Sequence, residues 1–171
     1  IMNIIIFGMP MSGKTTIGKI LADEKNIDFL DSDRFISQKH SLSLSKLIQS
    51  RGIDFFRQQE LKVIKNNISK ESNILSLGGG AVNSKTIDYI VKYKYKIFLQ
   101  CKIQTLIDRY VPNEENRPLL YNATNIEKKL INYQSKRNKY YLDCANIIIN
   151  ADNNTPKYLA NQISKSINEI N

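Results

Sequence analysis

The 171 residues and 19.7 kDa suffice for one domain with a substantial core and are too few for two ordinary domains and a linker. With 42% hydrophobic and 24% charged residues the composition excludes disorder, collagen-like repeats and coiled coil. Twenty-five Lys and Arg against 16 Asp and Glu give a net charge of +9, which suits an anionic ligand and a nucleic-acid surface equally and so does not choose between them. Cys101 and Cys144 lie far apart without metal-ligand spacing, which predicts two reduced, buried thiols. No apolar run approaches a membrane span and the apolar start has no basic leader, so no membrane contact and no targeting signal are expected.

In chain order, residues 3–7 form a β-branched run that ends at Gly8, and residues 14–25 place Ile17, Ile20, Leu21 and Ala22 at helical spacing. Residues 27–30 predict a second strand closing on Asp31-Ser32-Asp33, followed over 34–69 by helices broken near His40 and Gly52. Residues 74–77 predict a third strand running into Gly78-Gly79-Gly80, 97–101 a fourth and 147–149 a fifth, with helical patterns between them and a last helix after Pro156. Strands alternating with helices predict a parallel sheet covered by helices. Residues 110–125 lack periodicity and read as a mobile loop or lid. His40 reads as a solvated polar residue, and Tyr89, Tyr93 and Tyr95 as core and partial surface rather than a base-stacking platform.

Ligands of an open parallel sheet bind beyond the carboxyl ends of its strands, where the loops after the first three strands would meet. The first, Gly8-Met9-Pro10-Met11-Ser12-Gly13-Lys14-Thr15, fits the P-loop pattern GxxxxGK[ST] between a strand and a helix. Its backbone N–H groups can face a polyphosphate, with Lys14 on the β and γ phosphates and the Thr15 hydroxyl on Mg²⁺. The second holds two carboxylates, Asp31 and Asp33, expected on one side of an extended segment; one can order the metal's waters while the other faces an acceptor hydroxyl. A plain helix cap is the competing use of such an Asp. In the third, the lack of side chains lets a ligand approach the backbone closely. Arg57, paired with Glu60 three residues on, Arg117 and Arg137 are each ordinary surface residues singly; converging on one site they would clamp phosphate or carboxylate bidentately.

Taken together, the residues from 3 to about 168 resemble the shikimate kinases. Lys14-Thr15-Thr16-Ile17-Gly18 is similar to the family's GK[ST]TxG, Asp31-Ser32-Asp33 to its DxD, and Phe56-Arg57 with Glu60 to its FRxxE. Ser76-Leu77-Gly78-Gly79-Gly80-Ala81 resembles its modified Walker B segment, Arg117-Pro118-Leu119-Leu120 its lid motif, and Arg137, Tyr141 and Ala145 its RxxxYxxxA. Three positions depart from the pattern: Met11 replaces a usual Gly, Asn138-Lys139-Tyr140 replaces x-Pro-Leu, and Asn146 replaces a usual Asp.

The resemblance implies a single α/β domain over 1–171, a three-layer P-loop kinase of the nucleoside monophosphate kinase kind. It would have a five-stranded parallel sheet flanked by helices, a P-loop at 8–15, a substrate-binding region at about 32–60 and a mobile lid at about 110–124. It implies transfer of the γ-phosphoryl group of ATP to the 3-hydroxyl of shikimate, on the route to chorismate and the aromatic amino acids, by a cytoplasmic monomer that binds no nucleic acid. The residue roles carried over are Asp33 as the base at the acceptor hydroxyl and Lys14 and Arg117 on the transferring phosphoryl group. Arg57, Arg137, Gly79 and Gly80 join Asp33 in holding shikimate. Gly8, Met11, Ser12, Gly13, Lys14, Thr15 and Thr16 would cradle ATP, helped by Arg117, with Arg109 and Pro156 beside the adenine; Thr15 and Asp31 would hold Mg²⁺. The alternatives are another small-molecule P-loop kinase, such as a gluconate kinase, and a non-catalytic nucleotide-binding module.

Overall fold

The structure, a computed structural model, describes residues 2–112, 117, 120 and 123–170. The elements are β1 (Met2–Gly8), α1 (Lys14–Lys25), β2 (Asp28–Asp31), α2 (Ser32–His40), α3 (Leu44–Arg51), α4 (Ile53–Ile68), β3 (Ser72–Ser76), α5 (Ile87–Ile90), β4 (Tyr95–Gln100), α6 (Ile103–Asp108), α7 (Ile126–Cys144), β5 (Ile147–Asn150) and α8 (Pro156–Ile170). The five strands form one parallel sheet in the order β2-β3-β1-β4-β5.

β1 is central because it is apolar on both faces: Ile4, Ile5, Ile6 and Phe7 are fully buried, as a strand covered on both sides requires. Successive strand residues point to opposite faces. Phe7 stacks on Tyr141 of α7 with ring centroids 5.9 Å apart, whereas a Cβ on Gly18 of α1 would lie 3.4 Å from Ile6. Hence α1 and α7 cover opposite faces, and the sheet is the middle of three layers. α8 packs on α1 through Leu159, Ala160, Ile163 and Ile167, all buried at three- and four-residue spacing.

The five strands and the breaks at His40 and Gly52 lie where the sequence predicts them. Two elements differ. β3 starts at Ser72, because Ser72 and Asn73 continue the ladder beside Met2 and Asn3 despite their poor strand propensity. Asn73 is buried and donates to the Asn67 side chain, which makes a polar strand start acceptable in the interior. The helical pattern expected between the third and fourth strands shrinks to the four residues of α5.

His40 is half-buried rather than solvated: its Nε2 lies 3.4 Å from Gln59 Oε1 and its ring meets Phe55 edge-on at 5.4 Å. Tyr93 and Tyr95 are buried and Tyr89 partly so, as expected, and both cysteines are free and buried. Among the described residues no helix is long and apolar enough to cross a membrane.

Candidate active site

β1 has β3 on one side and β4 on the other, so the chain leaves it in both directions and a crevice opens above the carboxyl ends of the strands. A cleft of about 780 Å³ lies there, lined by the P-loop, the start of α2, α4, the glycine triplet, Arg109, Arg117 and Pro156. Of the residues given a role in the site by the resemblance, Gly8 and Arg137 are not in its lining. Residues 113–116, 118, 119, 121 and 122, most of the expected lid, lie outside the described residues.

The P-loop turns into α1 through Gly13, whose φ of 96° is open to glycine at little cost. Met11 also takes a left-handed conformation, φ 66°, which costs a non-glycine residue roughly 1–2 kcal/mol. Two interactions hold it. The Met11 side chain is 9% exposed within the core cluster, and the Arg109 guanidinium donates from Nη1 to the Met11 carbonyl at 3.2 Å and from Nη2 to the Ala151 carbonyl at 3.0 Å. Methionine thus holds a backbone shape that glycine adopts more readily. Lys14 Nζ sits in the hollow of the loop and donates to the carbonyls of Gly8 at 3.1 Å and Met9 at 2.7 Å. Burial lowers its pKa to about 8, against the attraction of Asp33 and Asp31.

The acidic pair does not lie on an extended segment. Asp31 ends β2 and caps α2, its Oδ1 accepting from the N–H groups of Asp33 and Arg34 at 3.1 Å, so Asp33 already belongs to the first helical turn. The cap and the functional reading coexist, because the other oxygen, Oδ2, accepts from the Thr15 hydroxyl at 2.5 Å. The Ser32 hydroxyl accepts from the Gly78 N–H at 3.0 Å and ties α2 to the glycine triplet. Asp33 rests on that triplet: a Cβ on Gly78 would fall 2.4 Å from its Oδ1. That oxygen is buried without a hydrogen-bond partner. Burial first, then the charges of Glu60 and Asp31, push Asp33 up to about 7, with Lys14 and Arg57 pulling the other way.

Arg57 projects from α4, and its Nη1 donates to Glu60 Oε2. Glu60 is 1% exposed, with Oε1 buried and unpartnered, and burial raises its pKa against the pull of Arg57. A Cβ on Gly80 would sit 2.4 Å from Arg57 Nη2, so glycine is what lets the guanidinium lie on the backbone. Arg137 of α7 lies near this pair. Its guanidinium lies 4.3 Å from the centroid of the Tyr133 ring, its Nη1 is buried without a partner, and it feels the charges of Arg57 and Glu60. The pairing of Arg57 with Glu60 is the one expected from their spacing, but the burial of Glu60 and the bond of Ser32 to Gly78 were not anticipated. The signal for Glu60 was there: Phe56, Glu60, Val63, Ile64 and Asn67 share the buried face of α4, and a carboxylate on that face demands a partner.

Among the described residues no three His, Cys, Asp or Glu side chains converge on a metal site. The cleft instead pairs a lysine-bearing backbone loop with a neutral-range carboxyl and an arginine lying on glycine backbone, which suits a phosphorylated ligand on one side and a small anion on the other. Comparison with known proteins agrees. The family model for shikimate kinase matches residues 10–168. A shikimate kinase of Flavobacterium psychrophilum is 37% identical over 175 residues, covering 95% of this chain and 97% of the relative, and one of Sulfurihydrogenibium sp. is 34% identical over 166 residues, covering 96% and 97%. Among solved structures, a shikimate kinase from Acinetobacter baumannii in complex with shikimate superposes with a TM-score of 0.91 at 28% identity, covering 98% of this chain and 94% of that one. A gluconokinase from Sinorhizobium meliloti, at 0.63 and 11% identity over 99% and 93% of the two chains, shares the fold alone. The chain belongs to the shikimate kinase family.

Proposed function

We propose that this protein transfers the γ-phosphoryl group of ATP to the 3-hydroxyl of shikimate, giving shikimate 3-phosphate and ADP. The observation that carries the reading is the meeting, in one cleft, of Lys14, Asp33 and Arg57 across the glycine triplet. The acceptor oxygen bonds to the γ-phosphorus, the bond to the β–γ bridging oxygen breaks, and the hydroxyl proton passes to Asp33. A carboxyl with a pKa near 7 is well matched to accept that proton at neutral pH. Lys14 and Arg117, both lining the cleft, would neutralise charge on the transferring group. Arg57 and Arg137 would hold the shikimate carboxylate, with backbone contacts from Gly79 and Gly80. The P-loop, Arg109 and Pro156 would hold the nucleotide.

The hydroxyl of Thr15 and the carboxylate of Asp31 are adjacent hard oxygen donors at the foot of the loop, and they fit Mg²⁺, which prefers oxygen and keeps most of its waters. When bound there, Mg²⁺ neutralises phosphate charge. We further propose a monomer acting in the cytoplasm without nucleic acid.

The deciding experiment is ADP release in a coupled assay with ATP and Mg²⁺, with no acceptor, with shikimate and with gluconate. Stimulation by shikimate alone, lost in Arg57→Ala, is expected. Equal or better stimulation by gluconate would overturn the substrate assignment, and Lys14→Ala with unchanged turnover would overturn the P-loop's role.

A further inference from the structure

The glycine triplet is fixed by side chains from three directions: Ser32 accepts from the Gly78 N–H, Asn83 donates to the Gly80 carbonyl at 3.3 Å, and the Tyr141 hydroxyl donates to the Gly79 carbonyl at 2.6 Å. The last contact spans 62 residues and is the one that reaches the triplet from α7. We propose that Tyr141 is a positioning residue for the acceptor, its hydroxyl setting the distance between the helix that carries Arg137 and the backbone of Gly79 and Gly80. This inference rests on the reading of Arg137, Gly79 and Gly80 as the shikimate side of the cleft.

Three observations carry it. The Tyr141 ring cannot shift: it is fully buried, with Phe7 of β1 at 5.9 Å and Phe98 of β4 at 5.0 Å. The sheet therefore acts as the anchor and the hydroxyl as a strut reaching the triplet. Arg137 lies one helical turn before Tyr141, and Tyr133 one turn before that, so all three share one face of α7. The guanidinium stacks on Tyr133, and it feels the charges of Arg57 and Glu60. Finally, for packing alone a phenylalanine would serve between two phenylalanines. A hydroxyl buried there carries a desolvation cost that only its bond to Gly79 offsets, so the bond has a specific use in placing that backbone. The flanking glycines touch Asp33 and Arg57, and a shift of Gly79 would move both contacts together.

The test is Tyr141→Phe, which removes one oxygen and keeps the ring packing. The KM for shikimate should rise roughly three- to tenfold, the loss of one hydrogen bond's worth of placement, with the KM for ATP within about twofold of wild type. Amide hydrogen exchange at Gly79 and Gly80 should accelerate in the ligand-free variant, and Leu21→Ala, a core change on the opposite face of the sheet, should lower thermal stability without splitting the two KM values. Unchanged shikimate KM, or both KM values rising together, would overturn the positioning role. Failure of wild type to use shikimate, with faster exchange still seen in Tyr141→Phe, would sink the substrate reading and reduce the strut to a backbone support.

Discussion

Asp33 carries opposite demands. Its folded pKa of about 7 lies above the ordinary 3.8, so the folded, ligand-free protein binds this proton more tightly than the unfolded chain does. Stability from this group is therefore full below about pH 4 and is lost as pH rises through 7. Asp33→Asn should leave the melting temperature unchanged at pH 4, raise it by roughly 2–6 °C at pH 8 by calorimetry, and lower kcat by roughly 10² to 10⁴. Lys14 works in the opposite window: its pKa is lowered to about 8 from 10.5, so its contribution to stability grows as pH rises from 8 toward 10.5. Arg57 and Glu60 form the other coupled pair. Arg57→Ala would leave Glu60, 1% exposed, without its counter-charge, at a cost of about 2–3 kcal/mol, somewhat below the full buried-pair figure because Arg57 is 24% exposed. Arg57→Ala with Glu60→Gln should regain most of that stability in urea titrations and none of the shikimate-dependent turnover.

At the level of elements, the P-loop shows how neighbours decide whether an unusual residue is tolerated. Glycine at position 11 would relieve roughly 1–2 kcal/mol of left-handed strain, yet it would remove a buried side chain whose truncation typically costs about 2–5 kcal/mol. Met11→Gly should thus destabilise the protein, by about 1–3 kcal/mol in denaturant titrations. Arg109→Ala removes the two bonds that join the loop to the segment after β5, and should raise the KM for ATP while sparing that for shikimate. The P-loop and α1 were legible because residue identity and helical period coincide there. The Asp31-Ser32-Asp33 segment was only half legible. Its residues were recognised, but the strand-to-helix switch depends on where Asp31 turns its two oxygens, toward the cap and toward Thr15, and period-two alternation cannot express that. The helical pattern between the third and fourth strands was overestimated, because a turn around Asn83 and Thr86 takes the backbone bonds at its start and leaves only α5.

For the molecule as a whole, the proposed function would bring both ligands into one cleft beyond the carboxyl ends of the strands, so their binding would stabilise the same native state. A non-hydrolysable ATP analogue with Mg²⁺ at about a hundred times its Kd should add about 2.7 kcal/mol and raise the melting temperature by roughly 5–10 °C, with a further rise when shikimate is added. No further rise with shikimate would contradict binding of shikimate beside the nucleotide. The net charge of +9 adds a long-range attraction for both anionic ligands, so kcat/KM should fall as salt increases, more steeply than the melting temperature changes.

The sequence by itself determined the element types, the parallel sheet and the family, because these rest on local periodicity, glycine loops and motif spacing, all properties of neighbours along the chain. It also named many residues of the cleft, although Gly8 and Arg137 lie outside its lining. Tertiary structure alone decided how they meet: that the Glu60 paired with Arg57 is buried, that Arg137 is absent from the cleft's lining, that Arg109 holds the left-handed Met11, and that Tyr141 reaches across to Gly79. Each of these depends on burial and on contacts between distant segments. Burial is what turns an ordinary Asp or Lys into a group with a pKa near neutrality, and it exists only once the sheet and its two helical layers have closed around the site.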